Sequence, residues 1–100
     1  MNKIAVQVMY PQSEKFDWEY YIPVHMGMVQ EKMKPLKWFV MKGAEGIIPP
    51  TYQAIAFMVF ENQANWEAIF AQTSAELLAD IPMYTDAQPT IQVSEILTPM

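Results

Sequence analysis

The sequence contains no cysteine and a single histidine, His25, among its 100 residues. The lack of cysteine excludes disulfide bridges and a thiolate nucleophile. With one histidine and no cysteine, a zinc site would have to be built mostly from carboxylates, which is an uncommon ligand set. We also find no glycine-rich phosphate loop and no metal-ligand spacing. We therefore expect no metal ion and no other cofactor.

Basic residues are also scarce, since lysine and arginine together number 6 and the net charge is −5. Nucleic-acid recognition needs a basic surface, so binding to DNA or RNA is not expected. No apolar run approaches the roughly 18 residues of a membrane span. The N-terminus begins with a strand pattern rather than the layout of a signal peptide. These features predict a cytoplasmic protein that has no nucleic-acid or membrane partner.

What the sequence does have is a high proportion of apolar residues. Apolar residues make up 52% of the chain and charged residues 17%, against roughly 25% charged in an average soluble domain. This length predicts one domain spanning residues 1–100. A chain this short buries a thin core, so association with a second copy is a natural way to bury more apolar surface.

Hydrophobic periodicity predicts four strands and two helices. In order, these are a strand from Lys3 to Tyr10, a helix capped by Asp17 and ending near Lys32, strands from Leu36 to Lys42 and from Thr51 to Phe60, a helix capped by Asn62 or Asn65 and ending near Ala79, and a strand from Thr90 to Leu97. Pro23 lies inside the first helix, where it removes a backbone hydrogen bond. We expect a kink or a short first turn there.

This order is that of an α+β ferredoxin-like βαββαβ unit, with both helices on one face of a four-stranded antiparallel sheet. We expect the opposite face to carry apolar side chains, namely Met9, Trp38 or Phe39, and Met58. An uncovered apolar face of this size is unusual for a monomer. The pattern therefore favours a homodimer that pairs through the sheet face, with a monomer as the alternative.

Two segments resemble the EthD-like family. The run from Phe16 to Met26 is similar to that family's Phe-Asp…Tyr-Tyr…His helix, and the run from Ala79 to Ile96 is similar to its closing segment. The resemblance spans nearly the whole chain and implies a dimeric α+β barrel. The family takes its name from a protein linked to degradation of an ether fuel additive, and other members resemble dehydratases or decarboxylases. The family's usual proline two residues after the histidine is replaced here by Gly27.

His25 is the candidate catalytic residue, because imidazole is the side chain whose ordinary pKa lies near neutrality. It could act as a general acid or base. The alternative is a histidine that stabilises the fold through a hydrogen bond. Tyr21 is placed on the same helical face four residues earlier and is the second candidate. The alternative role for Tyr21 is that of a core tyrosine whose hydroxyl lies at the rim. Asp80 and Asp86 are expected to be turn or cap residues.

An apolar cavity is the predicted substrate site. Its candidate lining residues are Met9, Trp38, Tyr52 and Phe57, which equally suit a core or a dimer interface. Such walls would suit a small hydrophobic or aromatic ligand. Two functions follow as hypotheses. One is a cofactor-independent enzyme of the oxidoreductase or lyase type that acts on such a metabolite, and the other is a non-catalytic ligand-binding or accessory dimer in a degradative pathway.

Overall fold

The computed structural model describes residues 2–99, and within them the chain forms four strands and two helices. The strands are β1 (Ile4–Pro11), β2 (Lys37–Lys42), β3 (Tyr52–Phe60) and β4 (Thr90–Glu95). Helix α1 consists of three consecutive segments, Trp18–Tyr20, Tyr21–His25 and Met26–Met33. Helix α2 spans Gln63–Asp80 and continues into a 3₁₀ turn at Ile81–Met83. Every predicted element is present.

Helix α1 contains a wide π turn where the sequence predicted a kink. The turn spans Tyr21–His25, and the Met26 N–H closes it by donating to the Tyr21 carbonyl. Pro23 has no N–H to donate, which removes one α-helical bond at this point. The chain widens locally and the helix then continues to Met33. Single π turns of this kind are frequent at functional sites.

The sheet has the strand order β2-β3-β1-β4, and all three neighbouring pairs are antiparallel. Together with the two helices this is the predicted α+β ferredoxin-like fold. In the register, Val6 of β1 lies beside Met58 of β3 and Val93 of β4. Residues side by side on neighbouring strands share a face. These three apolar side chains therefore mark the face that supports the helices.

The prediction for the open face of the sheet is partly wrong. Trp38 pairs with Met58, which is 4% exposed and belongs to the core on the helix side. Phe39 and Met9 do lie on the open face, because they alternate with these core positions. A one-residue shift in register exchanges the two faces of a strand, and the apolar composition of β2 and β3 on both faces hides that shift from sequence inspection.

The core between helices and sheet holds both aliphatic and phenolic side chains. Its largest fully buried members are Tyr10, Tyr21, Tyr84, Phe60, Ile4, Met26 and Val6. Buried tyrosine hydroxyl groups usually find hydrogen-bond partners. The contacts of these three tyrosines form part of the site described below. Among residues 2–99 there is no helix with the length and apolar character to cross a membrane.

Candidate functional site

The start of helix α1 and the end of helix α2 are joined at one end of the sheet. Phe16 forms an antiparallel bridge with Thr85, and the Asp17 N–H donates to the Tyr84 carbonyl over 2.7 Å. Asp17 also caps helix α1, because its side chain accepts hydrogen bonds from the first free N–H groups of the helix. These contacts bring His25 on α1 against the last turn of α2.

His25 and Asp80 form a hydrogen-bonded pair there. The His25 Nδ1 lies 3.0 Å from Asp80 Oδ2, and the two side chains are only 7% and 13% exposed. Tyr20 donates its hydroxyl hydrogen to the other carboxylate oxygen, Asp80 Oδ1, over 2.7 Å. A carboxylate at Nδ1 fixes the tautomer that carries its proton on Nδ1. The lone pair is then on Nε2, which is the nitrogen free to accept a proton.

Burial controls the charge of this histidine. Desolvation lowers the pKa of His25 below its ordinary value of 6.5, and the hydrogen bond and charge of Asp80 oppose that effect without cancelling it. The imidazole is therefore neutral at neutral pH. A neutral histidine with a carboxylate behind it is equipped to act as a base, because the carboxylate stabilises the imidazolium that forms on protonation.

A cluster of aromatic rings surrounds the pair. The ring of His25 stacks on Tyr21 with centroids 5.8 Å apart and lies 4.7 Å from the ring of Tyr84. The hydroxyls of Tyr84 and Tyr10 are hydrogen-bonded to each other at 2.6 Å. Burial raises the pKa of Tyr10 to about 12 and also raises the pKa values of Tyr21 and Tyr84. The three phenols are thus neutral throughout the physiological pH range.

Tyr21 contacts His25 through its ring rather than through its hydroxyl. The hydroxyl is buried and has no hydrogen-bond partner among residues 2–99, although Tyr10 is close enough to raise its pKa. The expectation of a hydroxyl at the rim is wrong, because Tyr21 is 0% exposed. The hydrogen bond that orients the His25 ring comes from Asp80 and not from Tyr21.

A narrow cavity of about 60 Å³ lies between the helices and the sheet, and His25 forms part of its wall. The other walls are almost entirely apolar. They come from Val6, Val8 and Tyr10 of β1, Val29 and Met33 of α1, Met58 of β3, Trp66, Phe70, Ser74, Leu77 and Leu78 of α2, and Ile81, Pro89 and Ile91 beyond it. The cavity therefore presents one titratable imidazole within hydrophobic surroundings.

The four predicted lining residues lie elsewhere. Met9 and Phe57 are on the open face of the sheet, where Phe57 stacks on Phe39 at 4.8 Å. Trp38 is on the helix side, but its Nε1–H donates to the Gln30 side chain over 2.7 Å. Tyr52 begins β3 and pairs with Pro11, also away from the walls of this cavity. The structure brings together His25 and Tyr21 but does not bring these four beside them.

Asp80 is the site residue that the sequence did not reveal. It was expected to be a turn or cap residue, and it does end helix α2. Its carboxylate instead accepts from His25, which is 55 positions earlier in the chain. Helix and strand periodicity relate only residues close in sequence. His25 and Asp80 meet because the two helices pack beside each other in the fold. Asp86 accords with its prediction, since it accepts the Lys15 N–H in an exposed turn.

Comparison with solved structures finds several similar chains. An EthD-like protein from Ralstonia eutropha JMP134 is 33% identical over 100% of this chain and 96% of that chain, with a TM-score of 0.89. An ethyl tert-butyl ether D (EthD) family protein from Bacillus halodurans C-125 is 12% identical over 97% of this chain and 100% of its own, with a TM-score of 0.73. A dimeric ferredoxin-like protein from an uncultured marine organism is 14% identical over 100% of both chains, with a TM-score of 0.72. No protein-family model and no curated protein matches the chain.

Proposed function

Because the chain belongs to the EthD-like family and carries a buried His–Asp pair beside an apolar cavity, we propose that it is a small enzyme. It acts by proton transfer on a hydrophobic or aromatic metabolite and uses His25 as the base without a bound cofactor. The single observation that carries this proposal is the hydrogen bond to Asp80 from Nδ1 of His25, a residue that lines the cavity. It leaves Nε2 as the basic nitrogen.

The proposed proton transfer uses the unprotonated ring nitrogen of His25. Nε2 takes a proton from an acidic C–H or O–H group of the bound molecule, and the electron pair of the broken bond stays on that molecule. Asp80 stabilises the imidazolium that forms. In a lyase-type reaction the imidazolium then returns the proton to the leaving oxygen, so that one histidine serves as base and acid. Positioned proton transfer of this kind contributes roughly 10² to 10⁴ in rate.

An oxidative reaction would begin in the same way. Without a cofactor, the deprotonated metabolite itself would have to react with oxygen, so its first step is again the removal of a proton by His25. Tyr21 supports either reaction by holding the imidazole ring flat against its own ring. Met9, Trp38, Tyr52 and Phe57 have no part in this proposal for the cavity.

A homodimer through the open face of the sheet is part of the proposal. Phe39 and Met41 are each 42% exposed on this face, and Phe57 stacks on Phe39. Apolar rings of this kind are normally covered. The similar structure from an uncultured marine organism is described as dimeric. The helix-side cavity faces away from that surface, so pairing would leave the site open.

The accessory function is the second candidate, and one observation favours it. The cavity of about 60 Å³ is much smaller than the roughly 300 Å³ or more of ordinary ligand pockets. In that case His25 is a structural residue whose hydrogen bond to Asp80 joins helices α1 and α2. The protein would then bind a small ligand or support a partner enzyme without reacting.

Proton exchange in D₂O tests the two candidates without knowledge of the reaction. Small hydrophobic and aromatic ketones are incubated with the protein, and the loss of their α-proton signals is followed by NMR. We expect accelerated exchange with the natural chain and its loss in His25→Gln, with the far-UV circular dichroism spectrum unchanged. A His25→Gln variant that retains exchange activity overturns the proposal. Binding of these ketones with no exchange supports the accessory function instead.

A further inference from the structure

The cavity beside His25 adjoins a groove on the protein surface. The groove has a volume of about 400 Å³, and four side chains line both spaces. These shared residues are Leu78, Ile81, Pro89 and Ile91. Leu78 is 45% exposed and Ile91 is 37% exposed, so they separate the cavity from solvent without closing it. The remaining walls of the groove are Pro82, Thr85, Asp86 and Gln88.

A second surface groove also touches the cavity, but through one residue. It is lined by Lys32, Met33, Lys34, Leu36, Phe60, Glu61, Asn65 and Ile69, and of these Met33 alone also lines the cavity. Met33 is only 4% exposed and packs in the core. The route past Leu78 and Ile91 is therefore the open one. It also leads to the end of α2 where Asp80 holds His25.

The size of the cavity limits what it can hold. At about 60 Å³ it is far below the roughly 300 Å³ or more of ordinary ligand pockets, so it accepts only a small apolar group. A metabolite larger than this must extend past Leu78 and Ile91 into the groove. The site therefore has an apolar inner part and a more polar outer part.

Asp86 lines the outer part, and the Lys15 ammonium group is bound to Pro82, another of its walls. Hydrogen bonds from Ser13 and from the Lys15 backbone lower the pKa of Asp86, so its carboxylate is ionised at neutral pH. The Lys15 ammonium group donates to the Pro82 carbonyl over 3.2 Å. The charge of Lys15 also lowers the pKa of Asp86, so the field of each charge at the groove is opposed by the other and favours an uncharged head group over an ion. Uncharged hydroxyl or carbonyl groups suit the exposed Gln88 amide better.

We propose that the cavity and the groove together form one binding site for an uncharged amphipathic molecule. Its compact apolar end enters past Leu78 and Ile91 to lie beside His25, and its polar end remains in the groove near Gln88. This inference names the ligand class of the site to which the proposed function assigns proton transfer, and in that sense it rests on that function. The shape of the site is independent of the chemistry.

A series of 1-alkanols from propanol to octanol serves as the probe. Binding is followed by isothermal titration calorimetry and by the shift of the His25 imidazole signals. We expect the affinity to rise about three- to fourfold with each methylene while the cavity fills. The gain should fall within this series, at the length where the cavity is full and the chain enters the groove. Carboxylates and alkylammonium ions of equal length should bind more weakly, and equal or tighter binding by either ion overturns the assignment of an uncharged head.

Two matched leucine variants test the route of entry. Leu78→Trp fills the opening between the groove and the cavity and should weaken hexanol binding at least tenfold. Leu36→Trp places the same bulk in the second groove, at a side chain that is 54% exposed, and should leave binding unchanged. The reverse result, or no effect of Leu78→Trp in a folded protein, overturns the proposed entrance.

The proposed function and this inference can fail separately. Hexanol binding is measured by calorimetry and proton exchange by NMR on the same preparation of the natural chain, so each result is read without the other. Binding that persists without any proton exchange leaves the ligand class standing and removes the catalytic role. Proton exchange on ketones without chain-length dependence of alkanol binding removes the ligand class and leaves the catalytic role.

Discussion

At the scale of single residues, Asp80 is the group on which the site depends. Its two carboxylate oxygens accept from two different donors, His25 Nδ1 at 3.0 Å and the Tyr20 hydroxyl at 2.7 Å. Such charge-assisted hydrogen bonds are stronger than those between neutral groups. The carboxylate thus joins both helices and decides which nitrogen of His25 carries the proton.

Asp80→Asn should reverse the tautomer of His25. Tyr20 would still donate to the amide oxygen, which turns the amide N–H group toward Nδ1 and requires Nδ1 to accept. The proton then moves to Nε2, and the basic nitrogen is lost. We expect at least a hundredfold loss of ketone proton exchange, within the usual range for a general base. The ¹⁵N shifts of the two ring nitrogens measure the tautomer directly, and an Nε2 that stays unprotonated contradicts this account.

Tyr20→Phe should raise the pKa of His25. Without the Tyr20 hydroxyl, the Asp80 carboxylate accepts one hydrogen bond fewer, so its negative charge stabilises the imidazolium more strongly. In the part of the chain that the structure describes, Asp80 is the charged side chain that affects the pKa of His25, and the phenols of Tyr21 and Tyr84 that face it remain neutral. An NMR titration of the imidazole measures the change, with Tyr52→Phe as the control. An unchanged pKa in Tyr20→Phe would mean that Tyr20 acts on stability alone.

At the scale of the elements, helix α1 is shaped by the residues that interrupt it. Pro23 accounts for the π turn, whereas Gly27 two residues after His25 lies in regular α-helix. A Cβ added at Gly27 would meet nothing within 4 Å, so this glycine fills no structural requirement. Glycine at this position therefore weakens the helix, and no close contact requires it there.

Gly27→Ala should stabilise the protein by about 0.5 to 1 kcal/mol, because alanine loses less backbone entropy on forming the helix. Gly43→Ala is the matched control with the opposite sign. A Cβ there would lie 2.6 Å from both the Pro50 Cβ and the Tyr52 carbonyl oxygen, so β2 and the chain before β3 would have to separate. Urea denaturation of both variants measures the difference. Stabilisation by Gly43→Ala would contradict this packing.

At the scale of the whole molecule, the sheet has two different environments. One face lies under the helices with the cavity, and the other carries the stacked Phe39 and Phe57 rings. Toward β4 this open face becomes polar, because Ser94 donates to the Gln7 side chain over 3.1 Å. Its apolar part is concentrated on β2 and β3, and this defines the surface expected to pair with a second copy.

Phe39→Glu should convert the homodimer to a folded monomer. The side chain lies on an edge strand and is 42% exposed within one chain, so the substitution is tolerated by the fold but buries an unpaired charge in a dimer. Sedimentation velocity measures the mass. Gln92→Glu, at the polar end of the same face, is the control and should remain dimeric. A natural chain that sediments as a monomer would remove this proposal.

The buried tyrosines should make the fold sensitive to alkali. The pKa values of Tyr10, Tyr21 and Tyr84 are raised by burial above their ordinary value of 10.0, so their stabilising effect is complete below that pH and is lost as the pH rises above it. Each phenol should lower the free energy of unfolding by about 1.4 kcal/mol per pH unit in this range. Urea denaturation between about pH 8 and pH 11 measures this slope. Tyr10→Phe should reduce the slope, whereas an equal slope in that variant would contradict the explanation.

The sequence by itself determined the order and type of the elements. The alternation in β1 and β3 and the helical spacing in α2 arise from contacts between near neighbours, so they can be read from the sequence locally. The βαββαβ order then limited the fold to the ferredoxin-like arrangement. His25 was also identifiable, because it is the single imidazole in the sequence.

The tertiary structure alone decided which side chains meet. Asp80 and His25 are 55 positions apart, and their hydrogen bond depends on how two helices lie on one sheet. The cavity walls likewise depended on strand register, which placed Trp38 and Met58 on the helix side and Met9 and Phe57 on the other. The strands at the centre of the sheet are apolar on both faces, so their sequences favour neither register. The packing of the helices on one face selects the register, because only one register buries Val6, Met58 and the tyrosines together.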